Sequence, residues 1–213
     1  MSDLNIRVVV AYHSPHGHTR RLAVAVASGA HAIPGTIVVL IDLAKLTPAS
    51  WAALDCADAM VFGCPTYMGG PSAVFKAFAE ASLQAWLDNL RWRNKIAAGF
   101  THSQAMSGDK LNTLQYFAIL AAQHGMHWVN LDLYPGWCSK DGSINDCNRL
   151  GAWLGVISQS NREVDADSLN QGDLRTASYL GRRVTTVTWQ LARGRAATLG
   201  PRPTDHTAVA HTA

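Results

Sequence analysis

The stretch Ile6-Arg7-Val8-Val9-Val10-Ala11-Tyr12-His13-Ser14-Pro15-His16-Gly17-His18-Thr19 decides how the rest of the chain is read. Ile6 to Tyr12 is a nearly continuous β-branched apolar run, the pattern of a strand buried on both faces rather than one with a wet face. Such a strand belongs to a parallel sheet and needs a covering helix. One follows: Thr19 to Ala30 carries Leu22, Val26 and Ala30 at helical spacing, with alanines between them that favour helix and allow close packing. The junction Ser14 to Thr19 can offer a phosphate monoester free backbone N–H groups, a helix N-terminus and the hydroxyls of Ser14 and Thr19. Gly17 permits close approach of the backbone and Pro15 stiffens the turn. It is neither a GxxxxGK[ST] loop nor a GxGxxG loop. Ser14 and Thr19 also suit a plain helix cap. His13, His16 and His18 have no cysteine or carboxylate beside them to complete a metal site.

Outward from this junction the alternation continues. Thr36 to Ile41 reads as a second strand, Pro48 and residues 49–55 as a short helix, and Ala59 to Gly63 as a third strand that stops at Pro65. Pro71 falls where the first turn of the next helix would start, and Val74, Phe75, Phe78, Leu83 and Trp86 follow at roughly helical spacing. Ile96 to Phe100 is the fourth strand, Lys110 to His124 a helix ended by Gly125, and Trp128 to Leu133 the fifth strand. The pattern then weakens for more than thirty residues, and a loop of that length is expected to cover a site or join an interface. Asp173 to Arg193 returns as the last covering helix. This repetition predicts one α/β doubly wound domain over residues 1–194, with a mobile tail over 195–213.

Doubly wound sheets bind ligands beyond the strand C-termini where the strand order reverses, between the first and third strands for flavodoxin-like order. The third-strand loop is Pro65-Thr66-Tyr67-Met68-Gly69-Gly70. Tyr67 and Met68 supply flat or polarizable surface for a ring, and backbone groups near Gly69 can approach the N5 and pyrimidine edge of a flavin. After the fourth strand comes Thr101-His102-Ser103-Gln104-Ala105-Met106-Ser107-Gly108, polar and small. Each loop alone could be an ordinary turn. Three at successive positions on one sheet edge point to non-covalently bound FMN.

Composition narrows the rest. Of 213 residues, 48% are hydrophobic and 15% charged, which is globular, and a net charge of +3 is too small and scattered to imply nucleic acid. Cys56, Cys64, Cys138 and Cys147 form no CxxC pair and have no metal-ligand spacing, so free thiols in a reducing compartment are expected and a metal is not. There is no apolar stretch of about 18 residues for a membrane span. The N-terminal lead shows no basic region followed by an apolar run and a cleavage site. A cytoplasmic protein is the expectation.

The chain resembles the flavodoxin-like NAD(P)H:quinone oxidoreductases of the Trp-repressor-binding-protein family. The residues that carry the resemblance are Tyr12 to Thr19, Val61-Phe62-Gly63-Cys64-Pro65-Thr66-Tyr67-Met68-Gly69-Gly70, Ala122-Gln123-His124-Gly125-Met126 and Tyr179-Leu180-Gly181-Arg182-Arg183-Val184. The resemblance implies a five-stranded parallel sheet in the order 2-1-3-4-5 with helices on both faces. It implies FMN held by Ser14, His16, Gly17, His18 and Thr19 at the phosphate, by Pro65 to Gly70 at the ring, and by Thr101, His102, Ser103, Gln104, Ser107 and Gly108 at the pocket's closure. His124 matches a family histidine, with a cofactor-binding and catalytic role, and Trp86 a tryptophan of the quinone pocket. A homotetramer, or a dimer, is implied as well, with Trp92 and the segment from Tyr134 to Ser168 adding interface area. The sequence departs from the family at the third loop, at His16, which replaces an aromatic residue, and at Tyr67, which replaces an arginine. The function implied is two-electron transfer from NAD(P)H through FMN to a quinone. The alternatives are reduction of a nitroaromatic or azo compound, a non-enzymatic flavodoxin carrier, and a regulatory FMN module bound to a partner protein.

Overall fold

The computed structural model describes residues 5–199. β1 (Ile6–Tyr12) is buried at every position except Arg7. Its alternate residues feed two cores: Val8 and Val10 pack on one face, Val9 and Ala11 on the other. α1 (His18–His31) turns Leu22, Val26 and Ala30 into the first core. β2 (Thr36–Asp42) forms the edge beside β1 in parallel register, and α2 (Pro48–Asp55) starts at Thr47, which with Ser50 makes a reciprocal capping box.

β3 (Ala59–Tyr67) runs past Pro65, beyond the expected stop. Its pairing with β1 ends at Gly63, so the missing N–H of Pro65 interrupts no bond to that neighbour. The strand folds back through a hairpin onto β4 (Gly70–Pro71), pairing Thr66 with Pro71 and Tyr67 with Gly70. Pro71 therefore closes the hairpin rather than opening a helix. α3 (Ala73–Ala81) is capped by Ser72, whose Oγ accepts from the Phe75 N–H. α4 (Leu83–Leu87) follows, and the chain enters β5 (Ile96–Ser103), which lies parallel to β3. α5 (Lys110–Gln123) covers it and is followed, after His124, by Gly125 at φ +67°, the left-handed closing residue that the sequence signals.

The fifth strand is in two pieces. β6 (His127–Trp128) pairs with Ile96 and Ala97, and β7 (Val156–Gln159) pairs with Phe100 to Ser103, both parallel to β5. The expected single strand from Trp128 to Leu133 is thus corrected. Val129 and Leu131 are buried in the first core, so the apolar run does report burial, but Leu131 N–H turns to the Trp153 carbonyl at 2.9 Å instead of continuing the ladder. α6 (Gln171–Leu199) lies against α1 and continues past Gly194, where the tail was expected to start. Residues 200–213, the rest of that tail, lie outside the described residues. The order β2-β1-β3-β5-β6 is the flavodoxin-like doubly wound order, 2-1-3-4-5 when parallel strands alone are counted. Among the described residues no helix is long and apolar enough to cross a membrane. All four cysteines are free.

Candidate functional site

A cavity of about 1020 Å³ opens at the C-terminal edge of the sheet. Its wall is built by four loops. The turn after β1 supplies His13, Ser14, Pro15, His16, His18 and Thr19. Gly17 takes φ +87° at the start of α1 and cannot cap the helix with a side chain. The Ser14 Oγ accepts from the Arg20 N–H at 2.9 Å, and the N–H groups of His18 and Thr19 have no partner among the described residues. The first turn of α1 therefore keeps donors open toward the cavity, as an anion requires.

The hairpin between β3 and β4 supplies Pro65 to Gly69, and the cap of α3 supplies Ser72, Ala73 and Val74. Thr66 is fixed from below: its Oγ1 lies 2.8 Å from both Thr101 Oγ1 and Thr113 Oγ1, and Thr101 donates on to the Cys64 carbonyl at 2.7 Å. Burial pushes the Cys64 thiol up to about 12, so it is an inert core sulfur. The Tyr67 phenol is also raised, first by burial and then by its proximity to Cys64, and keeps its proton.

The loop after β5 supplies His102, Ser103, Gln104, Ala105 and Gly108. Behind it the Lys110 ammonium, at 1% exposure, donates to Ser103 Oγ at 3.0 Å, the Ala105 carbonyl at 2.7 Å and the Met106 carbonyl at 2.9 Å. Burial lowers its pKa to about 8, with Asp173 opposing the shift and Arg149 adding to it. The unfolded chain keeps this proton to about 10.4. Between those values the unfolded state binds more protons, so stability rises with pH through that window. Chemical denaturation from pH 8 to 10 should show a more positive slope of unfolding free energy for the wild type than for Lys110→Met; equal slopes would contradict the assignment.

The fourth wall, Arg162 to Ala166, follows β7 and was missed by residue in the sequence, although the long segment was expected to cover a site. His18 Nε2 donates to the Val164 carbonyl at 2.8 Å, and a Cβ on Gly17 would stand 3.0 Å from Ala166 Cβ. His18 also stacks on His102, ring centroids 4.8 Å apart and planes 8° apart, while His102 Nδ1 meets Ser158 Oγ at 2.8 Å. Burial, then His18, then Lys110 hold His102 down at about 3, so it stays neutral. His13, also lowered by burial against the pull of Asp42, meets Ser72 Oγ at 2.8 Å through Nδ1. These histidines join loops to one another. No group of histidine, cysteine and carboxylate side chains among the described residues could hold a metal ion.

Of the residues singled out in the sequence, Gly17, Gly70, Thr101 and Ser107 support these loops without lining the cavity. His124 is displaced altogether. It follows α5, beside the N-terminal end of β5, whereas the cavity lies at the other end of that strand. Its ring packs on Trp92 at 4.5 Å, Nε2 meets Ser82 Oγ at 2.9 Å, and only 2% of the residue is exposed. Within one chain it does not line this cavity. Replacing His124 with Ala should lower stability by roughly 1 to 3 kcal/mol through the lost hydrogen bond to Ser82 and the lost packing on Trp92, while FMN affinity stays within twofold in a fluorescence titration. A large loss of affinity in the folded variant would restore its role.

Trp86 is half exposed on α4 and likewise lies outside the cavity lining, on a face shared with exposed Leu83 and Leu87. Trp92, expected at an interface, is fully buried and donates through Nε1 to Asp55 Oδ1 at 2.8 Å.

The lining fits FMN: open amides and hydroxyls at one end suit a dianionic phosphate, and the hairpin and third loop leave room for a planar ring. Comparison with known proteins agrees. The family model for NADPH-dependent FMN reductase matches residues 47–134. Flavodoxin FldP of Pseudomonas aeruginosa is 40% identical over 87% of this chain and 98% of its own. An NAD(P)H dehydrogenase (quinone) of Geotalea uraniireducens is 28% identical, covering 88% of this chain and 100% of its own. The crystal structure of a flavodoxin, WrbA-like protein from Agrobacterium tumefaciens superposes with a TM-score of 0.69 at 42% identity, over 87% of this chain and 99% of that one.

Proposed function

Because the chain belongs to the flavodoxin-like family of WrbA proteins and NAD(P)H dehydrogenases (quinone), and its cofactor is FMN, we propose that it catalyses two-electron transfer from NAD(P)H to a quinone. FMN, when bound, would supply two-electron redox chemistry between a nicotinamide and the acceptor. The chain's own residues bind and orient. Ser14, Thr19 and the open amides of α1 would hold the phosphate; the hairpin from Pro65 to Gly70 and the loop from Thr101 to Gly108 would hold the ring. The protonated Tyr67 phenol, on the cavity wall, can donate a hydrogen bond to an acceptor oxygen.

The observation that carries this reading is the size of the cavity. About 1020 Å³ slightly exceeds the roughly 300–1,000 Å³ usual for small-molecule sites, which supports a site that takes a second planar ring as well as the flavin. Trp86 is proposed as a wall of a neighbouring subunit's quinone pocket in a homotetramer, with a dimer as the smaller assembly. The exposed Leu83, Trp86 and Leu87 on one helix face support that arrangement. Steady-state assays with NADH, NADPH and a panel of quinones test the function, and analytical ultracentrifugation tests the assembly. Turnover with nitroaromatic or azo acceptors but with no quinone would overturn the choice of acceptor.

A second reading, a non-enzymatic electron carrier, is favoured by the flavodoxin name of the 40% identical relative. Against it, carriers that dock basic partners present an acidic face, whereas this chain has a net charge of +3 and a cavity rim that mixes Arg162 with Glu163 and Asp165.

A further inference from the structure

The first turn of α5 reaches three parts of the cavity wall at once. Lys110 holds the third loop, Thr113 holds Thr66, and the Asn112 side chain donates through Nδ2 to the Gly69 carbonyl at 2.6 Å. The third contact falls on the most adaptable part of the hairpin. Met68 and Gly69 both take positive φ, +48° and +80°, Met68 is fully exposed, and a Cβ on Gly69 would meet nothing within 4 Å. Two left-handed residues make a tight two-residue corner, and among the described residues the one side-chain hydrogen bond to its Gly69 carbonyl comes from Asn112. Asn112 is outside the cavity lining, so the carbonyl it holds is turned to α5.

We propose that Asn112 is a positioning residue that lowers the affinity of the site for reduced FMN relative to oxidised FMN by keeping the Gly69 carbonyl engaged. This rests on the FMN reading of the cavity, with the backbone near Gly69 facing the flavin N5. Oxidised flavin presents a lone pair at N5 and pairs with a donor. Reduced flavin carries a hydrogen there and pairs with an acceptor. A carbonyl bonded to Asn112 is withheld from that hydrogen, so the cost falls on the reduced form alone. A neutral hydrogen bond of this kind corresponds to a factor of roughly three to ten.

The test compares wild type with Asn112→Ala and with Asn112→Leu, which keeps the approximate shape without the donor. Dissociation constants for oxidised and for chemically reduced FMN are measured by anaerobic titration, and amide hydrogen exchange over Met68 to Gly70 is followed in the apoprotein. Both variants should bind reduced FMN about threefold to tenfold more tightly relative to oxidised FMN than the wild type does, and exchange in the apo hairpin should quicken. An unchanged ratio, equal weakening of both forms, or unchanged exchange overturns the proposal. Wild-type protein that gives no FMN titration at all fails the parent reading, and this one with it, and is distinguished by its flat fluorescence signal. If one variant does not fold, the other decides.

Discussion

Replacing Ser14 and Thr19 together with alanine is expected to raise the FMN dissociation constant by more than tenfold. The phosphate is the one strongly charged end of the cofactor, and the turn after β1 answers it with open N–H groups and two hydroxyls rather than with a lysine. Ser14 already accepts from the Arg20 N–H, so its own O–H remains available to donate. Hydrogen bonds to a charged group contribute about 1.5 to 3 kcal/mol each, and about 1.4 kcal/mol is a factor of ten in binding. Loss of two such bonds exceeds tenfold even if the remaining amides take up part of the load. Quenching of FMN fluorescence gives the constant, and a thermal melt of the apoprotein shows that the variant is folded. Unchanged affinity in that folded variant would mean that the cavity holds its ligand elsewhere.

The second large effect concerns the long segment between β6 and α6. Arg149 donates to Asp173 through Nε at 2.7 Å and Nη2 at 2.9 Å, and both side chains are 2% exposed. The same pair ties down β7, since Arg149 Nη2 donates to the Gln159 carbonyl at 3.0 Å and the Gln159 N–H donates to Asp173 Oδ2 at 3.1 Å. Asp173→Ala should therefore destabilise the fold by about 3 to 5 kcal/mol, because it leaves a guanidinium buried without its counter-charge. Removing both partners, as Arg149→Met with Asp173→Leu, should cost less than Asp173→Ala alone. Urea denaturation reads both. A double variant as unstable as the sum of the singles would show that the pair acts through packing and not through charge compensation.

Sequence and structure agree most closely where the signal is local. The β-branched run from Ile6, the glycine-containing turn, the helical spacing after Thr19 and the closing Gly125 each depend on neighbours within a few residues, and each is found in place. What escaped depends on distant pairing. Val156 to Gln159 is only four residues long, and its partner strand lies more than fifty residues upstream, so nothing nearby marks it as the second half of the fifth strand. The cavity wall from Arg162 to Ala166 depends on that strand and was hidden with it. Lys110 and Asn112 look like ordinary polar residues at a helix start. Their role appears only once α5 is set beside the hairpin and the third loop. His124 shows a different limit: a matched motif gives a residue's identity, while the end of the sheet beside which it falls within one chain is decided by the course of the chain.

Anaerobic stopped-flow mixing of the FMN-loaded protein with NADH or NADPH, and then with a quinone, tests the central claim most directly. The account predicts that flavin absorbance near its visible maximum bleaches on mixing with a nicotinamide alone, with no reductase added, and returns in a single rapid phase with one equivalent of quinone. Flavin that stays oxidised in the presence of either nicotinamide, yet is reduced promptly once a separate flavodoxin reductase is supplied, would contradict it and make the chain an electron carrier.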